Sequence, residues 1–339
     1  MAGSNRLPDV LIRNAMLRFP LLCAVLILGT ARAMVAQEPP LQQGPPLKVT
    51  VNRVGVGATV TDSRGKFVSG LLRKDFRIFD NDVEQPIVNF LPVEEPAQFL
   101  LLIESGPSVF LFAKNHILAA DALLTSVAPD DRVAIATYSR RPELVLDFTS
   151  DKSAARLALR AIDFHTGFGE LDLFSSISSA IDELTLLSGK KTIVLLSTGL
   201  DTSPGVKWEA MLAKLQIADV RIISVSLAGD LRKPKRKRKL TADKKTARAE
   251  LRKGFAEGDE SLRQLSTATG GRVFFARNAK EFAKAYAEIA ELLRHEYSLA
   301  FAPTSFDGTV HALRVEVDRS GVSVDHRPAY LAAARENIP

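Results

Sequence analysis

Hydrophobic and polar residues follow three different spacings along the chain. From residue 47 to residue 90, β-branched residues roughly alternate with polar ones, and turn-forming residues separate the runs. This pattern is typical of the short strands of a small β-sandwich. From residue 98 onward, unbroken apolar runs alternate with segments of helical periodicity. After residue 297 the period of two returns, and the turn Ser320-Gly321 between two such runs predicts a closing β-hairpin.

The middle of the chain has the pattern of an α/β domain. The unbroken apolar run at 99–103 predicts a parallel strand buried on both faces of a sheet, and 192–196 and 221–225 are predicted as strands of the same buried type. Further strands are predicted at 132–138 and 272–276. Helices are predicted at 113–127, 152–162, 173–187, 208–217, 260–269 and 279–295, with an edge strand at 144–148. The alternation predicts a doubly wound, mostly parallel sheet of the Rossmann type, with helices on both faces.

The first 36 residues have the order of a secretory signal peptide. Three arginines within the first 18 residues precede an apolar run, and Ala31-Arg32-Ala33 follows it. The uncharged stretch between Arg18 and Arg32 has 13 residues, fewer than the about 20 that a membrane-spanning helix needs. Cys23, the only cysteine, lies inside this stretch, so the cleaved protein would have no disulfide and no thiolate ligand. We expect an exported protein, periplasmic or extracellular.

These patterns divide the chain into five segments. They are a signal peptide at 1–36, a Pro- and Gln-rich linker at 37–46, a β-sandwich domain at 47–95, an α/β domain at 96–296, and a C-terminal β-hairpin region and tail at 297–339. A basic insert at 231–254 lies within the α/β domain. It contains 12 Lys or Arg and 2 Asp or Glu, a net charge of +10. Because the whole chain carries +6, the remainder carries −4, and the basic character belongs to the insert.

The basic insert contains a cationic run from Arg232 through Lys239, in which Pro234 is the one residue without a charge. A block of like charges is typical of a solvated loop. The alternative is electrostatic contact with an anionic lipid or cell-envelope surface. No aromatic residue lies between residues 231 and 254, so stacking on bases has no support and nucleic acid is not expected as a partner.

Candidate binding residues follow the predicted strands. In an open α/β sheet, ligands bind outside the carboxyl ends of the strands, where the strand order reverses. The polar and small residues at these ends are Glu104, Ser105, Gly106, Ser108, Thr166, Glu170, Asp172, Thr198 and Asp201. We predict that they form one binding rim.

Five sequence blocks carry a resemblance to a known family. They are FLLLIESGPS at 99–108, APDDRVAIATYS at 128–139, LVLDFTSDKSAARLAL at 144–159, KKTIVLLSTGLDT at 190–202 and LRQLSTATGGRVFFA at 262–276. In this order and spacing they resemble the von Willebrand factor A-type domain, and more narrowly the VWFA-related domain of exported acidobacterial proteins. The segments at 49–81 and after 297 are similar to the flanks of that narrower group. The resemblance implies a module that binds proteins or surfaces.

The family's binding device is a metal-ion-dependent adhesion site. Its pattern is Asp-x-Ser-x-Ser after the first strand, a threonine in a later loop, and an aspartate after the fourth strand. Carried onto this sequence, Glu104 and Gly106 replace the first Asp and Ser, and Ser108 is kept. Leu171 falls at the threonine position and Thr198 at the aspartate position. Because Mg²⁺ demands near-ideal oxygen coordination, we expect no metal or other cofactor to bind.

Three functions remain open from the sequence. The first is a metal-independent protein-binding or surface-binding module. The second is a Mg²⁺-dependent adhesion protein in which Glu104, Ser108 and either Asp172 or Asp201 rebuild the site, although both aspartates are also placed to cap helices. The third is a structural cell-envelope protein held by the basic insert. No H-E-x-x-H, G-x-S-x-G or P-loop motif occurs, so no enzyme is expected.

Overall fold

The structure is a computed structural model that describes residues 53–106, 109, 113–164, 169–203, 205–229 and 242–333. The signal segment, the linker, Ser108, Thr166 and the cationic run from Arg232 through Lys239 lie outside the described residues. The described elements are β1 (Val54–Asp62), β2 (Phe76–Asp80), β3 (Val83–Gln85), β4 (Ile87–Leu91), β5 (Ala97–Glu104), α1 (Ala113–Ser126), β6 (Arg132–Tyr138), β7 (Pro142–Thr149), α2 (Lys152–Arg160), α3 (Leu173–Thr185), β8 (Lys190–Ser197), α4 (Trp208–Ile217), β9 (Arg221–Ser226), α5 (Ala242–Ala268), β10 (Val273–Phe274), α6 (Ala279–Arg294), β11 (Glu296–Phe301), β12 (Val310–Val317), β13 (Val322–His326) and β14 (Ala329–Leu331).

The central sheet has six strands in the order β10-β9-β8-β5-β6-β7. Neighbouring strands are parallel except β6 and β7, which pair antiparallel. From β5 the chain adds β6 and β7 on one side of the sheet and then β8, β9 and β10 on the other side. The strand order therefore reverses between β5 and β8. The predicted doubly wound, mostly parallel α/β sheet is confirmed, with β7 as its edge strand.

Helices cover both faces of this sheet because its strands are apolar on both sides. On β5, Leu101 and Ile103 belong to the core with α1, α2 and α6. Leu100 and Leu102 belong to the opposite core with α3, α4 and α5. Successive side chains of β5 point to opposite faces of the sheet and therefore contribute to two separate hydrophobic cores.

The β-sandwich is built from both ends of the described chain. One sheet has the order β13-β1-β11-β4 and the other β14-β12-β2-β3, and their apolar faces form one buried core. This corrects the prediction of a sandwich confined to 47–95 and a separate hairpin region at 297–339. Strands of the N-terminal segment form hydrogen bonds with strands of the C-terminal segment: β1 pairs with β11 and β13, β4 with β11, and β2 with β12. The apolar faces of the two mixed sheets then pack against each other.

Helix α5 is longer than the sequence predicts. It begins at Ala242, 18 residues before the predicted start at 260, so residues 242–254 are helical. Alanine, lysine, arginine, glutamate and leucine dominate this stretch, and these are strong helix formers. An ion pair between Lys253 and Glu257, one turn apart, adds to it. The predicted helix start at residue 260 is therefore wrong, while the loop prediction for residues 232–239 lies outside the described residues.

A buried polar cluster lies in the sandwich sheet that contains β2, β12 and β14. His311 Nδ1 lies 2.7 Å from Asp80 Oδ1, and the Tyr330 hydroxyl donates to Asp80 Oδ2 at 2.8 Å. His311 Nε2 lies 3.2 Å from Asp307 Oδ2. Burial alone lowers the pKa of His311, but the hydrogen bonds and charges of Asp80 and Asp307 outweigh it and raise the pKa above 6.5.

This cluster predicts a pH-dependent stability. A histidine with a raised folded-state pKa contributes stability that is fully present below about pH 6.5 and is lost as the pH rises through the folded pKa. We expect the free energy of unfolding to fall between about pH 6 and pH 9 more steeply in the wild type than in His311→Gln. Urea unfolding at several pH values measures both slopes, and equal slopes would contradict the assignment.

Candidate functional site

Glu104 ends β5 at the point where the strand order reverses, and its side chain is fully buried. Its Oε2 accepts hydrogen bonds from the backbone N–H of Thr198 at 2.7 Å and from the Thr198 hydroxyl at 2.8 Å. The Ser197 hydroxyl donates to the same oxygen at 3.3 Å. The Tyr138 hydroxyl lies 2.6 Å from Ser197 Oγ and 3.3 Å from Glu104 Oε2. Glu104 therefore joins the ends of three neighbouring strands, β5, β6 and β8.

Burial dominates the electrostatics of this cluster. Desolvation raises the pKa of Glu104, and the hydrogen bonds from Thr198, Ser197 and Tyr138 partly offset that rise. Burial and the neighbouring Glu104 raise the pKa of Tyr138 as well. Glu104 Oε1 has no hydrogen-bond partner among the described residues, so Oε2 alone makes the protein contacts.

Leu171 covers the small residue at the start of the loop that follows β5. A methyl group built on Gly106 would lie 2.6 Å from Leu171 Cδ2, and Leu171 is 3% exposed. The loop after β8 holds Leu171 in place, since its backbone N–H donates to Thr202 Oγ1 at 2.8 Å and its carbonyl accepts from the Thr202 N–H at 2.8 Å. An apolar side chain thus fills the space beside Gly106.

Asp172 and Asp201 both cap helix α3. Asp172 is the N-cap residue and accepts from the Ser175 N–H at 3.1 Å. Asp201 accepts from the Phe174 N–H at 3.0 Å and from the Ser203 N–H at 3.1 Å. Burial raises the pKa of Asp201, these two N–H groups lower it, and the charge of Asp172 raises it. Both carboxylates are engaged by backbone donors, as expected at a helix N-terminus.

The predicted rim divides into a buried layer and an exposed layer. Glu104, Ser105, Gly106 and Thr198 are buried, which corrects the prediction that they form a contact surface. Leu171 packs on Gly106, and Thr202 and Ser203 hydrogen-bond to the backbone of Leu171. No local sequence pattern predicts this contact. Glu170, Asp172, Asp201 and Thr202 are exposed or partly exposed and form what we term the outer rim. Ser108 and Thr166 lie outside the described residues.

The described residues do not fit the divalent cation that the family pattern implies. Glu104 offers one unengaged oxygen, Oε1, because four protein groups contact Oε2, and Leu171 offers no oxygen where the family has a threonine. One carboxylate oxygen does not make the coordination shell that a divalent cation needs. Asp172 and Asp201 cap a helix. No group of three or more His, Cys, Asp or Glu residues in the described part of the chain is arranged to hold a metal ion.

The contact between Gly106 and Leu171 predicts a coupled pair of mutations. Gly106→Ala is expected to destabilise the protein by about 1–3 kcal/mol through overpacking, and Leu171→Ala by about 2–5 kcal/mol through a cavity. The double variant should lose about 1 kcal/mol less unfolding free energy than the sum of the two single variants. The reason is that the methyl group added at Gly106 enters the space that the Leu171 side chain leaves. Urea unfolding measures all three.

Leu173→Ala supplies the matched control for this cycle. Leu171 is the only residue, apart from the chain neighbours of Gly106, that a methyl group there would meet within 4 Å among those described. The pair Gly106→Ala and Leu173→Ala should therefore be additive. Additivity in the Leu171 pair would show that Leu171 does not fill the space beside Gly106.

Helix α5 contacts the loop that follows β8, through the backbones of Gly258 and Gly199. Gly199, two residues after β8, has a φ of +77°. A methyl group built on it would collide with the backbone of Gly258 in α5, and one built on Gly258 would lie 2.5 Å from the Thr198 carbonyl oxygen. Two glycines therefore allow the helix backbone to contact the loop that carries Thr198.

Comparisons with known proteins give likenesses in fold only. No family model and no curated protein matches the chain. Similar solved structures include the conserved hypothetical protein BatB from Bacteroides thetaiotaomicron, at 13% identity over 58% of this chain and 98% of that chain, with a TM-score of 0.41. A von Willebrand factor type A structure from Catenulispora acidiphila has 11% identity over 86% of this chain and 78% of that chain, with a TM-score of 0.43.

A third similar structure is proximal thread matrix protein 1 from the mussel byssus, with a zinc-occupied MIDAS motif. It has 12% identity over 63% of this chain and 49% of that chain, with a TM-score of 0.44. At these identities and scores, the likenesses carry no inference about partners or metals. The order of the sheet strands shows a doubly wound, mostly parallel α/β fold. No helix among the described residues is long and apolar enough to cross a membrane.

Proposed function

We propose that this chain is an exported protein-binding module of the von Willebrand A type that works without a metal ion and without catalytic turnover. The observation that carries this proposal is the packing of Leu171 against Gly106, which puts a buried hydrocarbon group against the chain two residues after Glu104. We infer that this packing gives the end of β5 a structural role, which is to hold the loops that contain Leu171 and Thr202. Export rests on the signal-like order of the first 36 residues, and the acidobacterial grouping on the sequence blocks.

The outer rim determines the kind of partner we infer. Glu170, Asp172 and Asp201 place three carboxylates at one end of the sheet, beside the hydroxyl of Thr202. Complementary charge raises association rates and selects partners, so a basic surface is the expected counterpart. Phe174 packs against Trp208 at 5.6 Å between ring centroids, next to the capping aspartates. This aromatic pair fixes α3 and α4 below the rim.

Site-specific photo-cross-linking in the producing cells tests the proposal. A photoreactive amino acid placed at Glu170 or at Thr202 should give the same covalent protein adduct, and the yield should be equal in EDTA and in Mg²⁺. Leu157 on α2, which is 70% exposed but lies outside the rim, is the control position and should give no such adduct. An adduct that needs Mg²⁺ would contradict metal independence, and the absence of any adduct at the rim positions would contradict the binding surface.

A further inference from the structure

A cluster of charged residues lies at the opposite, amino end of the sheet, where the sandwich meets it. Four of its members are buried, whereas Lys191 is partly buried and the Asp219 side chain is 43% exposed. The cluster surrounds a cavity of about 10 Å³. Its charged lining residues are Lys190, Lys191, Asp219, Arg221, Glu296 and Arg327. Gly55 and Gly57 of β1 make room for it, since methyl groups there would collide with Asp219 and Glu296.

Arg221 lies at the centre of this junction and is 3% exposed. Its Nε donates to the Gly270 carbonyl at 3.0 Å, and its Nη1 donates to Thr59 Oγ1 at 2.8 Å and to Glu296 Oε2 at 3.3 Å. Its Nη2 has no hydrogen-bond partner among the described residues. A buried guanidinium nitrogen without a partner is costly, so a ligand that accepts hydrogen bonds is expected at this position.

The charges that line the cavity do not cancel. Lys191 lies 3.8 Å from Asp219 and Arg221 lies 3.3 Å from Glu296. Among the described residues, no carboxylate lies within ion-pair distance of Lys190 or Arg327. Lys190 donates to the Glu95 carbonyl at 3.0 Å, and Arg327 donates to the carbonyls of Gln216, Ala218 and Ala329.

Four cations and two carboxylates therefore line the cavity, an excess of two positive charges. Three other acids act on Lys190. Glu94 and Glu95 are exposed, whereas Asp131 is buried and accepts hydrogen bonds from the N–H groups of Ala97 and Ala128. Burial lowers the pKa of Arg327 to about 10, and a group with that pKa still carries its charge at neutral pH. The excess positive charge favours an anion over a neutral ligand.

We propose that this junction binds one halide-sized anion, chloride under physiological conditions, at Nη2 of Arg221. A cavity of about 10 Å³ has room for one small ion or one water molecule and excludes sulfate and phosphate. The anion offsets the unpaired charges of Lys190 and Arg327. The cavity is lined by β1 and β11 of the sandwich and by β8 and β9 of the α/β sheet. Binding of the anion therefore stabilises the contact between the sandwich and the α/β sheet.

Crystals of the full chain soaked in sodium bromide test the site directly. The anomalous signal of bromide should give a peak within about 3.5 Å of Arg221 Nη2, near the limit of a hydrogen bond. A water molecule in that position, or no peak, would overturn the proposal. Either result leaves the proposed function at the outer rim unaffected, since the two sites lie at opposite ends of the sheet.

Thermal unfolding in solution gives a second test. At constant ionic strength, replacing sodium gluconate with sodium chloride should raise the Tm with a saturable dependence on chloride. Lys190→Met should raise the chloride concentration needed for half of this effect by about tenfold, because one attracting charge is lost. Glu296→Gln should lower it, because a repelling charge is lost, and Arg141→Met, at an exposed arginine, should leave it unchanged. A dependence on salt that is the same in all four proteins would contradict a specific site.

Discussion

Gly258→Ala is expected to destabilise the protein by about 1–3 kcal/mol, whereas Gly254→Ala, one turn earlier on the same helix, should stabilise it. The added methyl group at Gly258 would lie 2.5 Å from the Thr198 carbonyl oxygen and 3.1 Å from the Gly199 carbonyl carbon. Both contacts are with backbone, so no rotamer change relieves them, and overpacking of this kind costs about 1–3 kcal/mol or more. Urea unfolding monitored by circular dichroism measures the change.

Gly254→Ala is the matched control because it changes the same residue type in the same helix. Its nearest neighbour would be Leu200 Cδ2 at 3.9 Å, an ordinary contact, and alanine is favoured over glycine within a helix by about 0.5–1 kcal/mol. Gly199→Ala should be at least as damaging as Gly258→Ala, since its φ of +77° adds backbone strain. Equal effects at positions 254 and 258 would show that α5 does not contact the loop of Thr198 as described.

Arg221→Met should destabilise the protein by about 3–5 kcal/mol, the usual cost of leaving one partner of a buried ion pair unpaired. Arg221 and Glu296 are 3% and 5% exposed, and burial raises the pKa of Glu296 while Arg221 and Lys190 counteract that rise. Without Arg221, Glu296 must be buried as an unpaired charge or take up a proton. Urea unfolding with and without the substitution gives the difference in the free energy of unfolding.

Arg141→Met is the control for the loss of an arginine. Arg141 pairs with Glu143 at 3.7 Å, and both side chains are more than half exposed, so the change should remain within about 0.5 kcal/mol. The double variant Arg221→Met with Glu296→Gln should recover part of the loss, because it removes the unpaired carboxylate. A cost for Arg221→Met as small as that for Arg141→Met would contradict a buried ion pair at the junction.

Local sequence patterns were sufficient for the central sheet but not for the sandwich. The runs at 99–103 and 192–196 are unbroken apolar segments, and such runs indicate buried parallel strands without reference to the rest of the chain. Strand β1 also has a clear alternating pattern. Its partners β11 and β13 lie more than 200 residues away, and no local pattern specifies a pairing over that separation. Helix α5 shows a related limit, because the predicted start at 260 left out residues 242–259, which the structure shows to be helical.

The candidate site could be located from the sequence, but its internal arrangement could not. The rule on strand ends placed Glu104 and Thr198 at the same end of the sheet, and the structure joins them by two hydrogen bonds. The sequence did not reveal that Leu171 packs on Gly106, since the direction of a loop side chain depends on the tertiary fold. Tyr138 and Ser197 were also missed, because each ends an apolar run and looked like an ordinary strand residue.

Isothermal titration calorimetry of the full chain with Mn²⁺ and with Mg²⁺ tests the central claim most directly. The packing of Leu171 beside Gly106 and the engagement of Glu104 by Thr198 predict no saturable heat up to about 1 mM cation, the weak end of the range for protein divalent-cation sites. Glu104→Ala should give the same flat titration as the wild type. Saturable binding in the wild type that disappears in Glu104→Ala would contradict the metal-independent account.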